Sequence, residues 1–381
     1  MNNIYIAGIA MTVFGRHLER SLEDMAGEAL QGALKDAGCQ ISDIGTAYYA
    51  GITNGPLQGQ FAIPGQVVMS KIGIEQIPIF NIDNGCAAGS SAVHLAINSL
   101  KAGNTDVALA LGCEKMNIAD KFKALNVMEA GWDVARAEQN YEMLIKMGDG
   151  VEVPAGSESD KPFSKFMSIY AAMCRFHMKT FGTTQRQIAA VSAKNHEHST
   201  RNPYSQFRKS FTIDQILAAP PITYPLTLPM CAPLSDGAAA VILCTEEGLK
   251  RIGADKSRCI KVAASVIRSF SNRRYDQPEL HLGRLAANQA YEIAGLGPKD
   301  MHVAEVHDAA AMGEIIQAEN LGFVQLGEGG PAAERGDFTL GGRIPINVSG
   351  GLESKGHPIG ATGIGQLYET VPQLRGEAGD R

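Results

Sequence analysis

The sequence is poor in the features that mark membrane-spanning and nucleic-acid-binding proteins. Its 381 residues include one Trp, and charged residues make up only 19% of the chain. Lys and Arg number 34 against 40 Asp and Glu, so the net charge of -6 provides no field for binding a polyphosphate backbone. No apolar run approaches the roughly 20 residues needed to cross a bilayer. These absences argue against nucleic acid and membranes as partners.

The N-terminus and the cysteines lack the signs of an exported protein. The opening sequence MNNIYIAGIAM has no basic region before its apolar run and no small-residue cleavage site. Cysteine occurs 7 times, always singly and never as a CxxC pair, which is typical of a reducing compartment. The positions are Cys39, Cys86, Cys113, Cys174, Cys231, Cys244 and Cys259. We therefore expect a soluble, cytoplasmic protein.

Aliphatic residues and glycine are abundant instead. Hydrophobic residues make up 45% of the chain and glycine occurs 42 times, which excludes disorder, collagen and coiled coil and favours an α/β protein. Strand-like runs at 4–9 and 77–82 each precede a helical pattern, at 22–37 and 87–102, and 106–112 is a further strand. This alternation predicts a largely parallel sheet with helices on both faces.

A second α/β half is predicted after an insertion. Residues 115–230 are richer in methionines, charges and aromatics, and within them 148–164 has the composition of a loop. Strand-like runs then return at 238–243, 260–265 and 301–306, with a helix at about 283–294 between the last two.

Cys86 is the strongest candidate nucleophile. It follows a strand and an Asn-Gly turn and opens an Ala/Ser-rich helix, whose first-turn N–H groups and dipole would favour a thiolate. Small neighbours such as Gly85 and Gly89 would let a substrate approach closely, and a nearby backbone N–H would stabilise the oxyanion of a thioester reaction. The alternative is a buried structural cysteine, the commoner role of a lone Cys in an Ala-rich run.

His357 lies in a glycine-rich loop at 350–363 and is a candidate base for a cysteine. A phosphate-binding loop is the alternative. The glycine order here is G-x-x-G-x-G instead of G-x-G-x-x-G, and no Lys-Ser/Thr follows, so nucleotide binding is disfavoured.

His307 and Asp308 follow the strand-like run 301–306, and α/β sheets place their ligand sites at such strand ends. His307 is therefore a candidate second histidine donor. The alternative is that the pair caps the helix that follows, with Asp308 as the N-cap. The spacing of Cys86, His307 and His357 matches no metal motif, and we predict no metal site.

Two groups of basic residues would either bind the phosphates of coenzyme A or lie on the solvated surface. They are Arg201, Arg208 and Lys209, and Arg268, Arg273 and Arg274.

Taken in order, four motifs resemble the thiolase superfamily, and the resemblance runs almost end to end. They are Asn-Gly-Cys86-Ala-Ala-Gly-Ser-Ser, Ser235-Asp-Gly-Ala-Ala-Ala, His307-Asp308, and Gly-Gly351-Leu-Glu-Ser-Lys-Gly-His357-Pro-Ile-Gly-Ala-Thr-Gly. His-Asp in place of Asn-Glu-Ala-Phe, together with Asn-Pro-Tyr-Ser-Gln-Phe at 202–207, is similar to the sterol-carrier-protein-X type and its bacterial and archaeal acetyl-CoA acetyltransferase-like relatives.

The resemblance implies a fold of two similar α/β halves in five αβαβα layers plus a loop domain. The N-terminal half would be 1–116 with a returning strand at about 232–246. Residues 117–231 would form the loop region covering the CoA site. The C-terminal half would be 247–381, lacking its last strands.

The resemblance also implies the chemistry. Cys86 would take the acyl group of a 3-oxoacyl-CoA as a thioester, His357 would activate it, and His307 would help form the oxyanion hole. Branched and aromatic acyl groups are among the expected substrates. Coenzyme A would be a co-substrate, with no permanently bound cofactor, and would contact Ser235, Gly351 and Arg208. Expected partners are a second copy, in a dimer or tetramer, and a small companion protein combining a zinc ribbon with an OB-fold.

Two departures concern the acid/base that handles the α-proton of the acetyl unit. Ala309 stands where sterol-carrier-protein-X thiolases have a cysteine, and the glycine-rich C-terminal segment with the second cysteine of other thiolases is not found before Arg381. We expect that segment to be missing from the sequence, or the role to fall to another residue or a partner. Alternative functions are a ketoacyl-type condensing synthase, an aldolase, which Cys86 argues against, and a non-catalytic lipid-binding or scaffold subunit.

Overall fold

The computed structural model describes residues 3–129, 131–269 and 273–381. The strands are β1 (Ile4–Met11), β2 (Thr46–Ala50), β3 (Ile79–Ile82), β4 (Val107–Glu114), β5 (Pro221–Thr223), β6 (Leu226–Thr227), β7 (Gly237–Thr245) and β8 (Ile260–Lys261). The helices are α1 (Leu22–Ala37), α2 (Asn54–Gln58), α3 (Pro64–Lys71), α4 (Ala88–Lys101), α5 (Lys121–Met128), α6 (Ala137–Ile145), α7 (Lys165–Phe181), α8 (Gln185–Ser199), α9 (Ile213–Leu217), α10 (Glu246–Ile252), α11 (Leu282–Ala294), α12 (Ala311–Asn320), α13 (Gly329–Arg335), α14 (Gly351–Lys355) and α15 (Ile359–Arg375).

The chain divides into two compact units. Unit 1 comprises Met1–Ala119, Leu234–Ile267 and His357–Asp380. Unit 2 comprises Asp120–Pro233, Arg268–Gly356 and the final Arg381. Among the described residues, every helix is too short or too polar to cross a membrane.

Unit 1 is built on one six-stranded sheet with the order β3-β2-β4-β7-β1-β8. β2 pairs in parallel with β3 and β4, whereas β7 pairs antiparallel with β4 and β1, and β8 antiparallel with β1. The expectation of a largely parallel sheet is therefore wrong, and the sheet is mixed. The reason is that an apolar run indicates a buried strand but not its direction.

Helix α1 shows how the sequence pattern becomes packing. A capping box at Ser21 and Asp24 starts it and Gly38, in the left-handed region at φ 71, ends it. Its apolar positions, among them Met25 and Leu30, pack into a core shared with the buried strands of the sheet. The predicted helix at 22–37 is confirmed at both ends.

Unit 2 is mainly helical, with a β5–β6 hairpin. Its core includes Val306, Ile315 and Phe338. The helix expected at about 283–294 is confirmed as α11. The strand expected at 301–306 is wrong, because this run has one isolated bridge, from Ala304 to Ile346. The run 260–265, in unit 1, forms only the two-residue β8. A run of apolar residues becomes a strand only where a neighbouring backbone supplies a continuous ladder.

Candidate active site

Cys86 lies in the connection between β3 and α4 in unit 1. Gly85 adopts φ +51, a conformation that favours glycine, and the turn closes through hydrogen bonds from the Ala87 and Ala88 N–H groups to Asn84 and Gly85 carbonyls, both 3.0 Å. Because α4 begins at Ala88, the half-buried cysteine stands just ahead of the helix instead of inside its first turn. This position keeps the thiol at the helix N-terminus.

Burial controls the protonation of Cys86. Desolvation raises its pKa to about 11, a backbone hydrogen bond lowers it, and the nearby charge of Glu114 raises it further. The helix N-terminus was expected to favour a thiolate, but the loss of hydration outweighs that effect. At neutral pH Cys86 is therefore a thiol, and forming a thiolate there would require a base.

His357 supplies an imidazole next to this thiol. A ring nitrogen of His357 lies within 4.8 Å of Cys86 Sγ. Its Nδ1 is 2.7 Å from Thr362 Oγ1, and the same hydroxyl donates its single proton to the Pro358 carbonyl at 2.9 Å. Thr362 must therefore accept from His357, which puts the proton of the neutral ring on Nδ1 and leaves the lone pair on Nε2. That tautomer is the one a general base needs.

The backbone of His357 is fixed from two sides. Its N–H donates to the buried Ser235 Oγ at 3.0 Å. Gly360, in the first turn of α15, donates its N–H to Glu114 Oε2 at 2.9 Å. The loop that carries His357 is thus tied to Ser235, two residues ahead of β7, and to the last residue of β4.

Glycines allow the two helices to meet. A Cβ on Gly89, in the first turn of α4, would lie 2.8 Å from the Gly360 carbonyl oxygen, and one on Gly360 would lie 2.5 Å from that of Ala50. The first turns of α4 and α15 therefore pack backbone against backbone, which brings Cys86 and His357 together.

His307 lies in unit 2, directly after the irregular run 301–306, and is half-buried. Desolvation lowers its pKa to about 4, so the ring is neutral at physiological pH. The next residue, Asp308, is fully buried and its Oδ1 accepts the Leu352 N–H at 2.8 Å. Helix α12 has Ala310 at its N-cap without a side-chain cap, so the alternative of an Asp308 helix cap is wrong.

Three buried carboxyl groups surround Asn195 in unit 2. Its Nδ2 lies 3.1 Å from Asp308, 3.2 Å from Glu314 and 2.9 Å from Glu353. Lys194 is the cation of this cluster, 2.7 Å from Glu314. Burial raises the pKa of all three acids, that of Glu353 to about 8. With the pKa of Glu353 at about 8, the cluster retains a proton at neutral pH.

The expected coenzyme A contacts fall in different settings. Ser235 is buried and its described bond is to the His357 N–H. Gly351, at φ +61, lies where a Cβ would be 2.1 Å from Asp308 Oδ2. Arg208 is exposed, and its Nη2 lies 3.4 Å from the Thr200 carbonyl. The structure thus places Cys86, His357 and Ser235 in unit 1, and His307, Gly351 and Arg208 in unit 2.

Sequence reasoning missed three residues that support these side chains. They are Thr362, Glu114 and Asn195. Thr362 lies within the glycine-rich loop already singled out, so a search for a partner of His357 would have found it. Glu114 and Asn195 are distant in sequence from the groups they bind, and no sequence signal identifies them.

Two family models match most of the chain. The model of the thiolase N-terminal domain matches residues 4–216, and that of the thiolase C-terminal domain-like family matches 268–381. The chain is 36% identical to an acetyl-CoA acetyltransferase of Methanothermobacter thermautotrophicus, covering 100% of this chain and 93% of that protein. It is also 36% identical to the sterol carrier protein 2 of Oryctolagus cuniculus, and this match covers 99% of this chain and 67% of that protein.

Two further proteins are informative. The benzoylsuccinyl-CoA thiolase subunit BbsB of Thauera aromatica is 33% identical and is matched over 98% of this chain and 89% of its own length. Among solved structures, the Ltp2-ChsH2(DUF35) aldolase superposes with a TM-score of 0.75 over 99% of this chain and 92% of that chain, at 23% identity. At that identity the likeness shows the fold alone.

The chain belongs to the thiolase family, as its match to the N-terminal domain model and its relatives show. It has the thiolase fold, and it is an acyltransferase that uses coenzyme A as a co-substrate.

Replacing Thr362 tests the assigned tautomer of His357. In Thr362→Val the ring loses its Nδ1 acceptor and the lone pair need not face the thiol, so we expect kcat/KM to fall about 10- to 100-fold. Thr362→Ser keeps the hydroxyl and should retain most of the activity. Steady-state kinetics of both variants across pH provide the measurement, and equal losses in Val and Ser would contradict the assignment.

Glu353 should make stability depend on pH. Its folded pKa of about 8 is above the unfolded value, so between pH 4.5 and 8 the folded state holds a proton that the unfolded chain has lost. The free energy of unfolding then falls as pH rises, by at most about 1.4 kcal/mol per unit for one proton. The urea midpoint of the wild type should fall from pH 7 to pH 8, and it should fall less in Glu353→Gln, where Asp308 and Glu314 still have raised pKa values. If the urea midpoint of Glu353→Gln changes with pH as much as that of the wild type, Glu353 is not the source of the pH dependence.

Proposed function

We propose that the protein cleaves or forms 3-oxoacyl-CoA thioesters through an acyl-enzyme on Cys86. The observation that carries the proposal is the thiol–imidazole pair, with Cys86 Sγ and a His357 ring nitrogen within 4.8 Å. Since Cys86 rests as a thiol and the His357 tautomer leaves Nε2 unprotonated, one proton transfer makes the nucleophile.

In the degradative direction the steps are as follows. His357 accepts the proton of Cys86, and the thiolate attacks the 3-keto carbon of the substrate. The bond between C2 and C3 breaks, its electrons go to the enolate of acetyl-CoA or a substituted analogue, and that enolate takes up a proton while His357 releases the one it accepted. The thiol of free coenzyme A then attacks the Cys86 thioester and releases the shortened acyl-CoA, and the proton of that thiol goes to the cysteine.

We assign His307 to stabilise the negative oxygen of the thioester enolate. A neutral imidazole can donate one N–H to such an oxygen, and the lowered pKa of His307 keeps the ring neutral over the physiological range. The Asp308 contact with the Leu352 N–H supports this role, because it anchors the residue next to His307.

Branched or aromatic acyl groups are the substrate class we favour. One relative is named a benzoylsuccinyl-CoA thiolase subunit, which supports an aromatic acyl group.

For coenzyme A we propose that Arg208 contacts the phosphates and that Ser235 and Gly351 lie near the thioester. We also propose a reducing, cytoplasmic location, which the seven free cysteines support.

Intact-mass spectrometry tests the acyl-enzyme. After incubation with acetyl-CoA or acetoacetyl-CoA, the wild type should gain one acetyl group and Cys86→Ala should gain none. Cys39→Ala, which removes a buried cysteine elsewhere in unit 1, is the matched control and should acylate like the wild type. Turnover of malonyl-CoA would instead favour a condensing synthase.

The outcome that would overturn the proposal is equally direct. If no acyl-CoA modifies the wild type, with or without a companion subunit, then a non-catalytic lipid-binding or scaffold role is the better explanation. An adduct that persists in Cys86→Ala would assign the nucleophile to another residue.

We further propose that the protein is a homodimer joined through β3. In the described part of the sheet β3 pairs only with β2, and the segment 77–82 carries no charged residue to protect this edge. Phe80 on β3 is 49% exposed and Phe61 is 79% exposed. Antiparallel pairing of β3 with the same strand of a second copy would satisfy the edge by a two-fold axis. A tetramer and a small zinc-ribbon/OB-fold companion are the further assemblies we propose, and one relative is named as a subunit.

Analytical ultracentrifugation tests the dimer. The wild type should sediment as a dimer and Phe80→Lys as a folded monomer, because the charge cannot be buried in the paired edge. Leu374→Lys alters a comparably exposed apolar residue on α15 and should remain dimeric. A monomeric wild type, or a dimeric Phe80→Lys, would refute the β3 interface.

A further inference from the structure

Glu114 is a buried carboxyl group that the proposed reaction does not use. It is the last residue of β4 and is fully buried in unit 1. A carboxyl group removed from water needs compensating hydrogen bonds, because an ionised group is otherwise very costly to bury. The partners of Glu114 therefore indicate what it does.

The described partners of Glu114 come from two separate segments. Thr53 donates to Oε1 through both its N–H, at 2.8 Å, and its hydroxyl, at 2.6 Å, and the Ile52 N–H donates to Oε2 at 3.0 Å. The Gly360 N–H of α15 also donates to Oε2, at 2.9 Å. One side chain thus joins the end of β4, the connection after β2 and the first turn of the helix that follows His357.

The hydrogen bonds identify the charge state. Backbone N–H groups can only donate, and three of the described partners, on Ile52, Thr53 and Gly360, are of this kind. The ionised carboxylate fits this set, although burial raises the pKa of Glu114. It also lies at the N-terminus of α15, where the helix dipole favours a negative charge.

The same charge acts on the nucleophile. It raises the pKa of Cys86 beyond the effect of burial. Because Gly360 is also where the backbones of α4 and α15 meet, the carboxylate stands at the junction that brings Cys86 and His357 together. The position of Glu114 therefore affects how Cys86 and His357 meet, and its charge affects the thiol of Cys86.

We propose that Glu114 is a positioning residue: its carboxylate holds the first turn of α15, and with it His357, at Cys86. The inference rests on the proposed roles of Cys86 and His357. It assigns Glu114 no contact with substrate.

The test compares Glu114→Gln with Asp36→Asn. Asp36 is the matched control because it holds the other end of α15, accepting from Arg375 at 2.8 and 3.0 Å, and also binds a backbone N–H, that of Ile9 at 2.9 Å. The pH dependence of Cys86 alkylation by iodoacetamide reports the thiol pKa, with modification of Cys86 quantified by peptide mass spectrometry. Steady-state kinetics report the positioning.

In Glu114→Gln the alkylation midpoint should shift to lower pH, because the variant lacks the negative charge that raises the pKa of the Cys86 thiol. Turnover should nevertheless fall at least about tenfold, with KM little changed, because His357 is no longer held. Asp36→Asn should move neither quantity. A Glu114→Gln protein with the wild-type midpoint and wild-type turnover would overturn the proposal.

A second pair of variants covers the case in which Glu114→Gln does not fold. Thr53→Val removes one hydrogen bond to Glu114 without changing any charge, so turnover should fall several-fold at an unchanged alkylation midpoint, and Thr53→Ser should restore it. Wild-type turnover in Thr53→Val would overturn the positioning role. Failure of the wild type to form an acyl-enzyme would instead refute the proposed function itself, so the two failures are distinguishable.

Discussion

The contact between the first turns of α4 and α15 is the constraint on which the unit 1 site depends. A Cβ on Gly89 would lie 2.8 Å from the Gly360 carbonyl oxygen, so the two backbones approach as closely as glycine permits. Cys86 precedes one helix and His357 the other, and their separation is therefore set by main-chain packing. A pair positioned in this way needs no adjustment of long side chains before proton transfer.

Desolvation of buried side chains determines their protonation, with different results in the two units. In unit 1 it keeps Cys86 a thiol, so the proposed reaction needs His357 as a base. In unit 2 it keeps His307 neutral and causes the acids around Asn195 to retain a proton. Burial thus selects protonation states suited to donating hydrogen bonds and transferring one proton, instead of a permanently charged site.

The sequence predicted the local elements well where their signals were local. Helix α1 has its capping box and its terminal glycine in the sequence, and α11 was found from its apolar spacing. Motif order was enough to indicate the family, which the domain matches confirm. It also singled out Cys86, His307 and His357 as candidates, because a reactive side chain among small residues after a strand is a pattern visible in one dimension.

Tertiary structure decided what depends on residues far apart in the chain. Three features depend on partners that no local sequence pattern predicts. They are the direction of β7, the absence of a ladder along the described run 301–306, and the hydrogen bonds of Glu114. The same holds for the tautomer of His357 and the protonation of Cys86, since both follow from which atoms exclude water or accept a proton. The sequence determined which groups are available for chemistry, and packing determined their geometry and charge.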